Sequence, residues 1–251
     1  MIFTIAAREL RSLFLSPLAW VILSVVQLLL AIFFSVYLYL YFTQQAQLNL
    51  QSTEVGVTYH VVISLYSIAA TIMMFIMPLI TMRIISDEKR NQSIALLYSA
   101  PLSMTEIVLG KYLGLVSFVL IMTFMYTLMP LSLLFGGTLD WGLLFSALIG
   151  TLLFTSAIAA IGMFMSSLTN QPMIAAVSSF FAMLFLWILN AVGTVGSDGT
   201  GSILSDLSLI THLQHFHLGI FSLSDFVYYL IVIAIFVVFT IRKLDSDRLR
   251  H

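Results

Sequence analysis

The chain has no cysteine and very little charge. Without cysteine, disulfides, thiolate metal sites and cysteine nucleophiles are excluded. Only 8% of its 251 residues are charged, whereas a soluble domain carries about 25%. Hydrophobic residues make up 61%, and the mean hydropathy is +1.08. Because so few charges could not cover a globular surface, the composition predicts an integral membrane protein.

Motifs for ATP hydrolysis and for catalysis within the membrane are also missing. The sequence G-x-x-x-x-G-K-[ST] does not occur, so we expect no ATP hydrolysis by this chain. The cores of the apolar runs hold no ionisable residue, and Gln27 and Asn190 are their largest polar groups. This argues against a proton-coupled secondary transporter and against an intramembrane protease. We predict that the chain is not an enzyme and has no cofactor of its own.

Long apolar runs between the charged residues predict six transmembrane helices. The first run is longer than the hydrophobic region of a signal peptide, so we expect it to be retained as a span. A polar segment at 166–172 divides the charge-free region after Trp141 into two spans. The chain is thus predicted to be an all-α membrane protein with one domain, 1–251, and spans at 18–42, 61–83, 104–135, 142–166, 172–195 and 226–242.

The basic residues all fall on one side of this six-helix arrangement. They are Arg8, Arg11, Arg83, Lys89, Arg90, Lys111, Arg242, Lys243, Arg248 and Arg250. The opposite side has no lysine or arginine, and its acidic residues are Glu54, Asp140, Asp198, Asp206 and Asp225. The positive-inside rule makes the basic side cytoplasmic, so we expect both termini in the cytoplasm. The uncharged link between the fourth and fifth spans is placed by parity alone.

Residues 1–16 predict an amphipathic helix in the cytoplasmic interface. Its apolar face is predicted to hold Phe3, Ala6, Leu10, Leu13 and Phe14. The alternative is a simple extension of the first span. Pro17 ends the pattern.

The cytoplasmic segment 86–101 is the most informative loop. Four charged residues open it: Asp87, Glu88, Lys89 and Arg90. A short apolar ridge at helical spacing follows, formed by Ile94, Leu97 and Tyr98. Ser103 and Glu106 then match an S-x-x-E capping box, so the next helix should begin near Met104. A short helix between two long ones suits docking into a groove of another protein, although a solvated loop explains the pattern equally well.

The external segment 196–225 is predicted to be helical and to lie along, or partly re-enter, the outer leaflet. It contains His212, His215 and His217, and imidazole suits transition metals. At helical spacing, however, His212 and His215 share a face while His217 points away. We therefore predict interfacial histidines of unknown role and no metal, with metal binding as the alternative.

Three motifs distributed along the chain resemble those of ABC type-2 transporter permeases, particularly the gliding-motility (Gld) permease-like subgroup. The opening 7–17, ARELRSLFLSP, resembles the pattern RELRxxFxSP. The segments 87–90 (DEKR), 96–101 (LLYSAP) and 106–111 (EIVLGK) are similar to the subgroup's cytoplasmic loop, EEKRxGTxExLLxxPxxxxEIVLGK. The end of the chain resembles the pattern HFxxFxxGxxxxxDxxYF…L through His212, Phe216, Gly219, Asp225, Tyr228 and Leu244.

This resemblance implies a permease subunit of an ABC exporter in the bacterial inner membrane. It implies a coupling helix within 86–101, short external helices before the sixth span, and two membrane subunits, identical or paralogous. Two cytoplasmic ATPase subunits would bind ATP and Mg²⁺, and an accessory subunit with a large external domain is possible; no nucleic acid is expected as a partner. Asp87, Glu88, Lys89, Arg90, Leu97 and Tyr98 are the implied coupling residues. A non-transporting membrane anchor or mechanotransmitter of an envelope machine remains the alternative, and ATP-driven solute movement in vesicles would distinguish the two.

Overall fold

The computed structural model describes residues 1–48, 58–92, 103–135, 139–195 and 208–249. Within these ranges the chain is helical and contains no strand. A π-helical turn, Thr58–Val62, precedes the third helix, and a 3₁₀ turn, Ser132–Phe135, follows the fourth. The helices are α1 (Ile2–Leu15), α2 (Pro17–Leu48), α3 (Ile63–Arg90), α4 (Met104–Leu131), α5 (Trp141–Leu168), α6 (Pro172–Val195), α7 (Leu209–His217) and α8 (Leu223–Arg248).

Six helices of the described part are long and apolar enough to cross a membrane, namely α2, α3, α4, α5, α6 and α8. The prediction of an all-α protein with six spans is therefore confirmed. Two of these helices continue beyond their predicted ends at 83 and 242. Ser86–Arg90, which we expected to open a loop, is instead the last part of α3. Lys89 and Arg90 complement the negative end of the helix dipole there, which favours the longer helix.

Helix α5 lies at the centre of the bundle and contacts α3, α4, α6, α7 and α8. Its small residues permit these close contacts. A Cβ atom on Gly162 would lie 2.3 Å from Thr81 Oγ1 of α3, and one on Gly150 would lie 2.3 Å from Phe216 Cβ of α7. Small residues at helix contacts let backbones approach closely, as is common in membrane bundles. Helices α2, α6 and α8 lie further out and expose most of their apolar side chains.

Helix α1 is a separate helix that packs on α4. Ser16 has an extended backbone (φ −80°, ψ 128°) and divides α1 from α2, so α1 is not an extension of the first span. Gly110 and Gly114 on α4 leave room for it, because a Cβ on Gly110 would lie 2.7 Å from Ile5 Cβ. The face toward α4 therefore includes Ile5. Phe3, a member of the predicted apolar face, has an exposed side chain.

Helix α4 begins with the predicted capping box. The Glu106 backbone N–H donates to Ser103 Oγ at 3.2 Å, and the Ser103 backbone N–H donates to Glu106 Oε2 at 3.2 Å. The predicted start of this helix is thus confirmed. The apolar ridge of the preceding segment, with Leu97 and Tyr98, lies outside the described residues, as does 196–207 of the external segment.

Candidate functional site

A lysine side chain is almost fully buried where α1, α3 and α4 meet. Lys111 of α4 is 1% exposed, and its Nζ donates to Glu88 Oε1 at 2.7 Å, to Glu9 Oε2 at 3.2 Å and to the Ile84 carbonyl oxygen at 3.0 Å. An ammonium group has three N–H donors, so these three acceptors satisfy it completely. The arrangement compensates a buried charge with hydrogen-bonded partners on two other helices.

A second lysine joins the same end of α3 to α5 and α8. Lys89 Nζ donates to Asp247 Oδ2 at 2.6 Å and to the Ser167 carbonyl oxygen at 2.5 Å. The other Asp247 oxygen accepts from Lys243 Nζ at 2.8 Å. We call Glu9, Glu88, Lys89, Lys111 and Asp247 together the lysine cluster. It fastens the last turn of α3 to four other helices.

The side chain of Ser166 holds the adjoining turns of α3 and α5 together. Ser166 Oγ of α5 accepts from the backbone N–H of Ile85 at 3.3 Å and of Ser86 at 3.1 Å. It donates to the Met82 carbonyl oxygen at 3.0 Å. These contacts bond the backbone of α3 directly to α5, so the end of α3 cannot shift alone without breaking them.

The four charged residues predicted to couple the chain to an ATPase therefore differ in their surroundings. Glu88 and Lys89 make the contacts of the lysine cluster, within the chain. Asp87 Oδ2 lies 4.0 Å from Arg83 Nε in a partly exposed pair. The Arg90 side chain is exposed. Of these four residues, Asp87 and Arg90 are the two that present their charge mainly at the surface.

Two of the three histidines predicted as a group converge on one carboxylate. His212 Nδ1 lies 2.6 Å from Asp225 Oδ1, and His215 Nδ1 lies 3.0 Å from Asp225 Oδ2. The Asp225 side chain is 5% exposed and sits in the first turn of α8. The His212 ring also stacks on Tyr228, with ring centroids 4.0 Å apart. We call His212, His215 and Asp225 the histidine cluster.

His217 points in the opposite direction, into the bundle. Its Nδ1 lies 3.0 Å from Ser67 Oγ of α3, and its Nε2 lies 3.1 Å from Thr151 Oγ1 of α5. Burial lowers the pKa of His217 to about 4, so the ring is neutral at neutral pH. His217 therefore joins α7 to the bundle through neutral hydrogen bonds.

The two clusters lie at opposite ends of α5. Ser146 Oγ, near its first residue, donates to the Phe216 carbonyl oxygen of α7 at 2.8 Å, while Ser166 and Ser167, near its last, contact α3. At 1.5 Å per residue these positions are about 30 Å apart, the thickness of the hydrocarbon layer. The lysine cluster and the histidine cluster are therefore separated by a full span.

Sequence reasoning did not identify Lys111, Glu9, Asp247 or Asp225 as members of these sites. One signal was present, because Gly110 and Gly114 flank Lys111 at the spacing of a close helix contact. That spacing predicts a helix packed beside Lys111. It does not say that the partner is α1 or that Glu9 faces the lysine.

Comparison with known families gives one match over almost the whole chain. Residues 3–245 match the family model described as ABC-2 family transporter protein. No curated protein matches the chain. The match includes all six helices that are long and apolar enough to cross a membrane, apart from the last three residues of α8. The chain therefore belongs to the ABC-2 family of transporter proteins and is a membrane permease subunit.

Proposed function

We propose that this permease belongs to the Gld-like subgroup and couples ATP hydrolysis by separate cytoplasmic ATPase subunits to export across the bacterial inner membrane. It would act with a second membrane subunit, and the ATP and Mg²⁺ would be bound by the ATPase. In this proposal the lysine cluster lies at the cytoplasmic end and the histidine cluster at the external end.

The lysine cluster is the observation that carries the proposal. The segment 93–102, where the ATPase would dock, directly follows the end of α3. That end is bonded to α4 through Lys111, which also contacts Glu9 of α1, to α5 through Ser166 and to α8 through Asp247. A force applied to the docking segment would therefore reach several spans at once, as a coupling device requires.

The exposed charges of α3 provide the sharpest test of ATPase docking. Reversing Glu88 or Lys89 would also break the lysine cluster, so loss of binding could reflect loss of folding. We instead expect the double variant Asp87→Arg, Arg90→Glu to reduce co-purification of the ATPase by at least about tenfold, since reversal of complementary charges at an interface costs several kcal/mol. The measurement is the amount of Walker-motif ATPase recovered with the affinity-tagged chain from its host membranes.

The matched control is Arg11→Glu, which reverses an exposed charge on α1. We expect that variant to retain the ATPase, and both variants to reach the membrane in normal amount. Unchanged recovery with the double variant, or an equal loss with Arg11→Glu, would contradict docking at the end of α3.

The orientation can be tested with single cysteines because the chain has none of its own. Gln92, just after α3, is exposed with φ 56°. We expect a Gln92→Cys variant to resist a membrane-impermeant maleimide in intact spheroplasts and to react after permeabilisation. Position 47 lies at the C-terminal end of α2, which we expect outside the cell. A Gln47→Cys variant should therefore react without permeabilisation. The reverse pattern would place the lysine cluster outside the cell and exclude ATPase coupling there.

A further inference from the structure

The histidine cluster has the composition of a transition-metal site. One nitrogen from each of two imidazoles and an oxygen of Asp225 lie within 4.8 Å of one another. Ligands in a tetrahedral zinc site stand roughly 3.4 Å apart, given metal–ligand distances of about 2.1 Å. Shifts of side chains alone would therefore bring His212, His215 and Asp225 around one ion.

The electrostatics of the cluster favour a cation. The Asp225 side chain is almost buried and lies in the first turn of α8, at the positive end of the helix dipole. The two imidazoles approach it through Nδ1, at 2.6 Å for His212 and 3.0 Å for His215. The described lysines and arginines lie on α1, on the last turns of α3 and α8, and on the first turns of α4, which is the end of the bundle where the lysine cluster lies. The described residues at the other end, where the histidine cluster lies, therefore include no lysine or arginine that could occupy the place of a metal.

Two further features suit a bound ion. The stacking of His212 on Tyr228 holds that ring in a fixed orientation, as supporting contacts do for metal-binding histidines. The His215 side chain is 47% exposed, which provides an entry path. Three protein ligands would leave a fourth position for water or another molecule.

We propose that His212 Nδ1, His215 Nδ1 and the Asp225 carboxylate bind one divalent ion of the borderline class, such as Zn²⁺. Imidazole nitrogen with carboxylate suits Zn²⁺, Ni²⁺ and Cu²⁺ and disfavours Mg²⁺, which prefers oxygen ligands. Nδ1 of each ring now contacts the Asp225 carboxylate, so binding requires the Nδ1 proton to leave to solvent while the ring carries its proton on Nε2, and the freed Nδ1 lone pair then goes to the metal. The ion fastens α7 to the first turn of α8. This inference does not depend on export or on an ATPase.

The test uses the full chain in detergent, stripped of metal with a chelator and then given Zn²⁺ in the presence of excess Mg²⁺. We expect one zinc per chain after desalting, and Co²⁺ in place of zinc should give the visible absorption of a four-coordinate site. His215→Gln removes one of three ligands at an exposed position and should weaken zinc binding by more than the roughly 10–100-fold that loss of a partner outside the ligand set costs.

The matched control is His60→Gln, which removes a histidine of the same end that lies outside the cluster. That variant should bind zinc as the unaltered chain does. Three results would overturn the proposal: no stoichiometric zinc, zinc displaced by Mg²⁺, or equal affinities of the His215→Gln variant and the unaltered chain. An equal loss of zinc in the His60→Gln variant would also overturn it, because binding would then reflect histidine number alone.

Discussion

Replacing Lys111 with methionine is expected to lower the free energy of unfolding by about 3–5 kcal/mol, the usual effect of removing one partner from a buried ion pair. Methionine has nearly the same length, so little packing is lost. The change leaves the Glu9 and Glu88 carboxylates near each other without the ammonium group, and the Ile84 carbonyl oxygen loses a donor. Unfolding in sodium dodecyl sulfate, followed by tryptophan fluorescence, measures the change.

Two further variants separate the charge effect from the effect of substitution itself. Lys243→Met also removes an ammonium group, but from a partly exposed pair whose Asp247 retains Lys89, so it should cost no more than about 1 kcal/mol. Adding Glu9→Gln and Glu88→Gln to Lys111→Met should recover most of the lost stability, because no buried charge then remains uncompensated. If Lys111→Met proves as stable as Lys243→Met, the lysine cluster does not hold the helices together.

The second large effect is expected at the close contact of α3 with α5. Gly162→Ala should destabilise the bundle by about 1–3 kcal/mol, the cost of overpacking a close-packed site. The added Cβ would meet Thr81 Oγ1 at 2.3 Å and Thr81 Cβ at 2.8 Å, and the second of these atoms cannot move without the backbone of α3. A leucine at the same position should prevent stable insertion and folding altogether. The amount of folded protein after detergent extraction reports both.

Gly142→Ala is the control for that substitution, because it is also a glycine of α5. Among the residues that the structure describes, its added Cβ would have only Asp140 Oδ1 as a near neighbour, at 3.3 Å. Alanine favours the helix by about 1 kcal/mol over glycine, so this variant should be no less stable than the unaltered chain. Adding Thr81→Ala to Gly162→Ala should recover part of the loss. Equal behaviour of the Gly142 and Gly162 variants would contradict the close contact of α3 and α5.

The spans could be predicted from sequence because lipid imposes one requirement on every residue of a crossing helix. Each span needs about 20 apolar residues, and charges mark where the run stops. Charge marks the end of a predicted span but not the end of its helix, since α3 and α8 continue past 83 and 242. Arg83 was taken as a boundary, yet a helix continues past it because nothing between Arg83 and Arg90 breaks the backbone hydrogen bonding. The capping box at Ser103 and Glu106 was predictable because both of its partners are local in sequence.

The contacts within the two sites could not be predicted, because they join residues far apart in the chain. Lys111 and Glu9 are separated by 102 residues, and Lys89 and Asp247 by 158. Helical spacing did predict that His212 and His215 share a face and that His217 does not. It could not show that α8 places Asp225 beside His212 and His215. Nor could it show that His217 contacts Ser67 and Thr151. Such pairings depend on which helices are neighbours, and one sequence alone does not show which helices pack together.

The tight packing of α5 has a mechanical consequence. A helix that contacts five others is hard to bend, since close-packed interiors have low compressibility. Displacement of its Ser166 end by α3 must therefore tilt the whole helix as a rigid body. The opposite end, at Ser146 and Thr151, would carry α7 with it, so that an event on one face of the membrane reaches the other without any signal passing through a cavity.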